Sequence, residues 1–178
     1  MGRVPRRLLA LPVAALLLAG CAGQDAPPPA EEGPPPQVVF ETDAATATAG
    51  PAQYCDLQLT ACTTDPAAPV TLAVPAGTAL TVSVPPQIAQ TPWQVVFSYR
   101  DASGAQVDER SPVWAPTGDD LPVSPDRAGR FWVLQLPRPT DQLLTAEVQQ
   151  YGPPPAPDPE TGELQFPIRA SWVLNATG

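Results

Sequence analysis

Among the reactive side chains of this 178-residue sequence, the three cysteines point most directly to covalent chemistry. Cys55 and Cys62 lie seven positions apart and enclose a short loop. In an oxidising compartment such a pair forms a disulfide, which loop-closure reasoning makes worth about 2–3 kcal/mol. The Cys-x-x-Cys spacing of a redox pair is absent, and no histidine or cluster of further thiols supports a metal site. Cys21 stands apart from both. Small residues precede it, and ahead of those lies a basic and then apolar leader, the setting in which cleavage frees an amine and a thiol for acylation.

The leader has Arg3, Arg6 and Arg7 with no acid, followed by an apolar run from Leu8 to Leu18. Those eleven residues are too few for a membrane span, which takes roughly 20, so residues 1–20 are expected to be a cleaved signal peptide. Leu18-Ala19-Gly20-Cys21 is similar to the bacterial lipobox, with Cys21 as the lipidation site. Residues 21–37 then form a Pro-rich tether with Pro27-Pro28-Pro29 and Pro34-Pro35-Pro36. Proline runs favour an extended, unpacked chain, and the sixteen residues after Cys21 span about 50 Å at roughly 3.1 Å each. The expected location is the extracytoplasmic face of the cell membrane, held there by lipid.

Other candidates for chemistry are weaker. Asp119, Asp120 and Asp126 offer oxygen ligands for calcium but lack the spacing of a calcium loop, so solvated loop acids are the better reading. Asp108 and Glu109 before Arg110 read as surface charge. Ser111 and Ser171 have no histidine to activate them, and no Gly-x-Ser-x-Gly elbow occurs. Trp93 and Trp172 sit in alternating strands and are expected in the core. Trp114, between Pro112 and Pro116, and Trp132, beside Phe131, are the candidates for a carbohydrate- or protein-contact patch, although core packing is the favoured role for both.

The totals narrow the class. Without residues 1–20 the chain keeps six of nine basic residues and all eighteen acids, a net charge of −12, and it has neither lysine nor histidine. Such a surface disfavours nucleic acid and electrostatic attraction to anionic lipid. The lack of histidine removes the usual neutral-pH acid/base and lowers the expectation of an enzyme. Neither a cofactor nor a metal is expected.

Residues 38–178 must supply the scaffold. Prolines recur too often for long helices, and two-residue alternation marks short strands. Val38 and Phe40 share a face. So do Leu72 and Val74, then Leu80, Val82 and Val84, then Trp93, Val95, Phe97 and Tyr99. Trp132, Leu134 and Leu136 follow, with Leu144, Ala146 and Val148 next. Phe166, Ile168, Ala170, Trp172 and Leu174 complete the series. Asp101-Ala-Ser-Gly104 and Pro75-Ala-Gly-Thr78 read as turns. Seven to nine such strands predict an all-β, immunoglobulin-like antiparallel β-sandwich, with a small barrel as the alternative.

Several stretches together carry a family likeness: Tyr54-Cys55-Asp56 with Cys62, Leu80-Thr-Val-Ser-Val-Pro85, Ile88-Ala-Gln-Thr-Pro-Trp-Gln-Val95 and Ile168-Arg-Ala-Ser-Trp172. Over residues 38–175 the chain resembles an uncharacterised family of secreted actinobacterial lipoproteins, a domain of unknown function. The resemblance implies a cell-envelope location and offers no catalytic or binding residues; the stretch from Pro153 to Glu160 looks like a loop peculiar to this member. The expected function is a membrane-anchored, non-enzymatic protein-binding or adaptor module with a partner in the envelope. The alternative is a carrier of a small hydrophobic, glycolipid or carbohydrate ligand, which needs an apolar cavity between the sheets.

Overall fold

A computed structural model describes residues 33–114, 129–154, 156–157 and 160–178. Cys21, the tether up to residue 32, and Asp119, Asp120 and Asp126 lie outside the described residues.

The strands are β1 (Val38–Glu41), β2 (Thr46–Ala49), β3 (Gln53–Cys55), β4 (Cys62–Thr64), β5 (Val70–Ala73) and β6 (Leu80–Val84). A single helical turn, α1 (Pro86–Ala89), leads to β7 (Trp93–Arg100), β8 (Gln106–Arg110), β9 (Arg130–Leu134) and β10 (Gln142–Tyr151). β11 (Ala156–Pro157), β12 (Leu164–Gln165) and β13 (Ile168–Thr177) complete the order. Four of them form one sheet in the order β2-β1-β6-β9. Seven form the other, β4-β3-β13-β10-β7-β8, with β5 also paired to β13. The protein is thus an all-β domain whose two sheets enclose one core, as expected of a sandwich.

The inner faces follow from the alternation. Leu80, Val82 and Val84 are buried on β6, and Trp93, Val95, Phe97 and Tyr99 on β7. Ala146 and Val148 of β10 face Ala170, Trp172 and Leu174 of β13 across the same layer. Trp93, Trp172, Phe40, Leu80, Ile88 and Leu174 fill the space between the sheets. Both proposed turns form. Thr78 donates its N–H to the Pro75 carbonyl, and the Asp101 carboxylate accepts the N–H groups of Ser103 and Ala105. Gly104, at φ +88°, supplies a conformation that side chains disfavour. Ser103, through its hydroxyl first, holds the Asp101 carboxyl below the usual carboxylate range.

Four expectations need correction. β10 carries a bulge: Leu143 lies opposite Tyr99 and Thr145 opposite Ser98, so Leu144 is the extra residue. Leu143 rather than Leu144 therefore enters the core. Phe166 precedes β13, separated from it by Pro167, and is exposed. Pro153 to Glu160 includes β11, which pairs with β12. Finally, β5 runs parallel to β13 within otherwise antiparallel sheets. Ten-residue β13 has room on one flank for β3 beside Ala170 and Ser171 and for β5 beside Leu174 to Thr177.

Two contacts fix the end at which the chain enters. Trp172 donates its indole N–H to the Pro36 carbonyl at 2.9 Å. Gln150, buried on the inner face, donates to the Gln87 carbonyl and the Thr91 hydroxyl and so holds α1 across that end. Gly129 passes so close to β6 that a Cβ there would collide with the Val84 carbonyl oxygen.

Candidate functional site

Trp114 and Trp132 come together on the inner side of the sandwich. Trp114 pairs with Trp93 by two backbone hydrogen bonds, Trp93 N–H to its carbonyl and its own N–H to the Trp93 carbonyl. The rings of Trp93 and Trp114 lie 4.4 Å apart, those of Trp114 and Trp132 5.5 Å, and those of Trp132 and Phe97 6.1 Å. Trp114 is only 8% exposed and Trp132 is half-buried against the same core. The two therefore join the aromatic interior.

Cys55 and Cys62 are joined as a disulfide across directly paired positions of β3 and β4. The loop between them is pinned at both sides. Asp56 accepts hydrogen bonds from the Thr60 hydroxyl and N–H, and these hold its carboxyl below the usual range. Arg169 donates from Nε to the Cys55 carbonyl and from Nη2 to the Tyr54 hydroxyl, with its guanidinium 5.0 Å from the Tyr54 ring centroid. Tyr54-Cys55-Asp56 and Arg169 thus serve the scaffold. So do the serines: the Ser111 hydroxyl accepts the Val95 N–H and donates to the Pro112 carbonyl, and Ser171 is buried in β13.

The outer face of the larger sheet carries a groove of about 590 Å³. Small side chains form its floor: Val96 and Ser98 on β7, Thr145 on β10 and Val173 on β13. The Ser98 and Thr145 hydroxyls are 2.8 Å apart and satisfy each other. Longer side chains stand along the sides, namely Gln106, Asp108 and Arg110 on β8 and Glu147 on β10. Gln106 donates to Asp108, and Glu147 accepts from Gln149, which itself accepts from Gln94. The sides carry two acids, Asp108 and Glu147, against Arg110, whereas Glu109, paired with the inward-facing Phe97, turns to the other face and accepts from the Tyr99 hydroxyl.

β8 has only β7 as a strand partner among the described residues. A sheet edge beside a shallow floor can accept an extended segment, backbone to backbone, with side chains reaching into the groove. No group of three or more metal-ligating side chains occurs among the described residues. Sequence alternation placed Ser98, Thr145 and Glu147 on the polar face and marked Asp108 as surface charge. What it lacked was the strand order that sets β8, β7 and β10 side by side.

A second concavity, about 380 Å³ and mostly apolar, lies at the end of the sandwich where α1 sits. Pro92, Val113, Tyr151, Pro153, Phe166 and Pro167 line it. The Tyr151 N–H bonds to the Pro92 carbonyl and the Gly152 N–H to the Pro167 carbonyl, so backbone contacts fix its walls.

A family model described as "Protein of unknown function (DUF2771)" matches residues 31–176. No curated protein and no solved structure matches the chain.

Proposed function

Because the chain belongs to the DUF2771 family of unknown function, whose description assigns no activity, we propose from its geometry that it is a membrane-anchored, non-enzymatic binding module. Cys21 carries the lipid, the tether gives reach, and the domain serves as an adaptor for another protein of the cell envelope. One observation supports this reading above the rest: the small-floored groove beside the edge strand β8, with acidic sides and hydroxyls that already satisfy each other. Such a surface suits an extended, basic segment of a partner, because charge complementarity adds register and encounter rate to strand addition.

The carrier alternative draws less support, since large side chains occupy the space between the sheets. An enzyme would need convergent polar groups aimed at one reacting atom, whereas the groove hydroxyls face each other.

Reversing both wall charges, with Asp108→Lys and Glu147→Lys, tests the proposal. Both residues lie on the outer face, so the urea midpoint is expected to stay within error. Recovery of the cross-linked partner from native envelopes is expected to fall by about tenfold or more, since like charges then meet across the contact. Undiminished recovery would remove the groove from the account, and co-purified lipid in place of protein would favour the carrier.

A further inference from the structure

The apolar end of the sandwich and the point where the tether enters coincide. β1 pairs Val39 with Ser83, so the start of β1 lies level with the end of β6. From that end of β6 the chain runs through α1 to Pro92, one wall of the apolar cleft. Pro36, the last proline of the tether, is bonded to Trp172 there. The Cys55–Cys62 loop reaches the same end, because β3 runs antiparallel to β13 and a Cβ on Gly152 would lie 3.3 Å from a Leu59 methyl. Four large hydrophobic side chains are well exposed among the described residues: Leu57, Val113, Phe166 and Val133. Three belong to this end, Leu57 at 58%, Val113 at 52% and Phe166 at 58% exposed. The opposite end presents the turns with Asp43, Asp101 and Asp141, while at this end Asp56 beside Leu57 is turned onto Thr60 of its own loop.

We propose that this apolar end seats on the lipid surface that holds the anchor, with Phe166, Val113 and Leu57 entering the boundary between headgroups and acyl chains. The proposal rests on the reading of Cys21 as the lipidation site. Three features favour lipid over a protein occupant. The chain outside the described residues ends at this end of the domain, so a lipidated Cys21 keeps it nearest the bilayer. The sixteen residues between Cys21 and Val38 reach about 50 Å as a polyproline spacer, which holds the surface at high effective concentration and lets weak partitioning count. The lining side chains are apolar, aromatic and proline, and the nearby Arg169 is engaged by Tyr54 and the Cys55 carbonyl, so the attraction is hydrophobic and does not depend on anionic lipid. The seat acts as a second, weak membrane signal beside the acyl chains. It sets the orientation of the domain above the bilayer.

The test uses full-length lipidated protein in zwitterionic vesicles containing brominated lipid. A Phe166→Trp variant reports the apolar end and a Ser103→Trp variant the opposite turn, each read against the wild-type emission. The added emission of Phe166→Trp should shift to the blue and lose about half its intensity, as expected of a ring in the headgroup–acyl boundary, and added salt should not reverse this. Leu57→Trp should behave alike, and Ser103→Trp should not respond. Protein that floats with the vesicles while Phe166→Trp and Leu57→Trp stay unquenched overturns the seat and leaves the anchor standing. Protein that fails to float overturns the anchor and the seat with it. Shielding of Phe166→Trp that appears only when envelope protein is added assigns the end to a protein and overturns the proposal.

Discussion

Replacing Trp172 with alanine is expected to lower the free energy of unfolding by about 3–5 kcal/mol, the range for losing a buried aromatic ring. Trp172 is fully buried in β13 and lies opposite Val148 of β10, within the long β10–β13 pairing of the larger sheet. Its loss removes the ring contacts and leaves a cavity that fixed β-strands on either side cannot close. It also leaves the Pro36 carbonyl without its indole donor. Trp172→Phe separates these effects: it keeps most of the ring and forfeits the hydrogen bond, at a cost of about 1–3 kcal/mol. Urea unfolding followed by circular dichroism measures both. A Trp172→Ala change within about 0.5 kcal/mol of wild type, as for surface substitutions, would show that this ring does not hold the sheets together.

The second large effect concerns location. Changing Cys21 to Ser removes the thiol proposed to carry lipid, and the domain is expected to leave the membrane fraction while keeping its fold. Its core depends on no residue before Pro36 among those described. The apolar end alone offers only a few exposed side chains, far short of the two strong signals that durable anchoring takes. Fractionation of cells carrying wild type and Cys21→Ser, with far-ultraviolet circular dichroism of the released protein, checks both halves. Retention equal to wild type would contradict the lipid anchor.

Much of the fold was legible because alternation reports burial directly. Leu80, Val82 and Val84 were readable as one face, as were Trp93, Val95, Phe97 and Tyr99, and the structure buries each set. The turns at Pro75 and Asp101 were readable from their residue types. What escaped depended on pairing between distant strands. The bulge at Leu144 exchanges which leucine faces inward, yet Leu143 and Leu144 are chemically alike, so only the register against β7 decides. β3 and β4 are three residues each, below the length at which alternation carries a signal, and their pairing shows first through the disulfide. The parallel entry of β5 beside β13 follows from a crossover that no local pattern encodes.

The sites divide in the same way. Trp114 between two prolines read as core ahead of loop, and its pairing with Trp93 gives its place in the interior. The groove was invisible because its floor and walls come from β7, β8, β10 and β13, which are distant in sequence. The apolar end was missed for a related reason. Phe166 read as the start of a buried strand face, and Leu57 and Val113 drew no reading alone; the three gain meaning only when the topology gathers them.

The most direct measurement of the account is site-specific photo-cross-linking in intact envelopes. A photoreactive side chain at Gln106 stands on the groove wall, and one at Thr46 stands on β2, the edge of the other sheet. An acidic groove that receives a basic partner segment predicts one recurrent protein adduct at Gln106. It predicts none at Thr46, and loss of the Gln106 adduct when Asp108→Lys and Glu147→Lys are added. Equal adducts at the two positions, adducts at Thr46 alone, or none at either would contradict the assignment of this groove as the surface through which the protein binds.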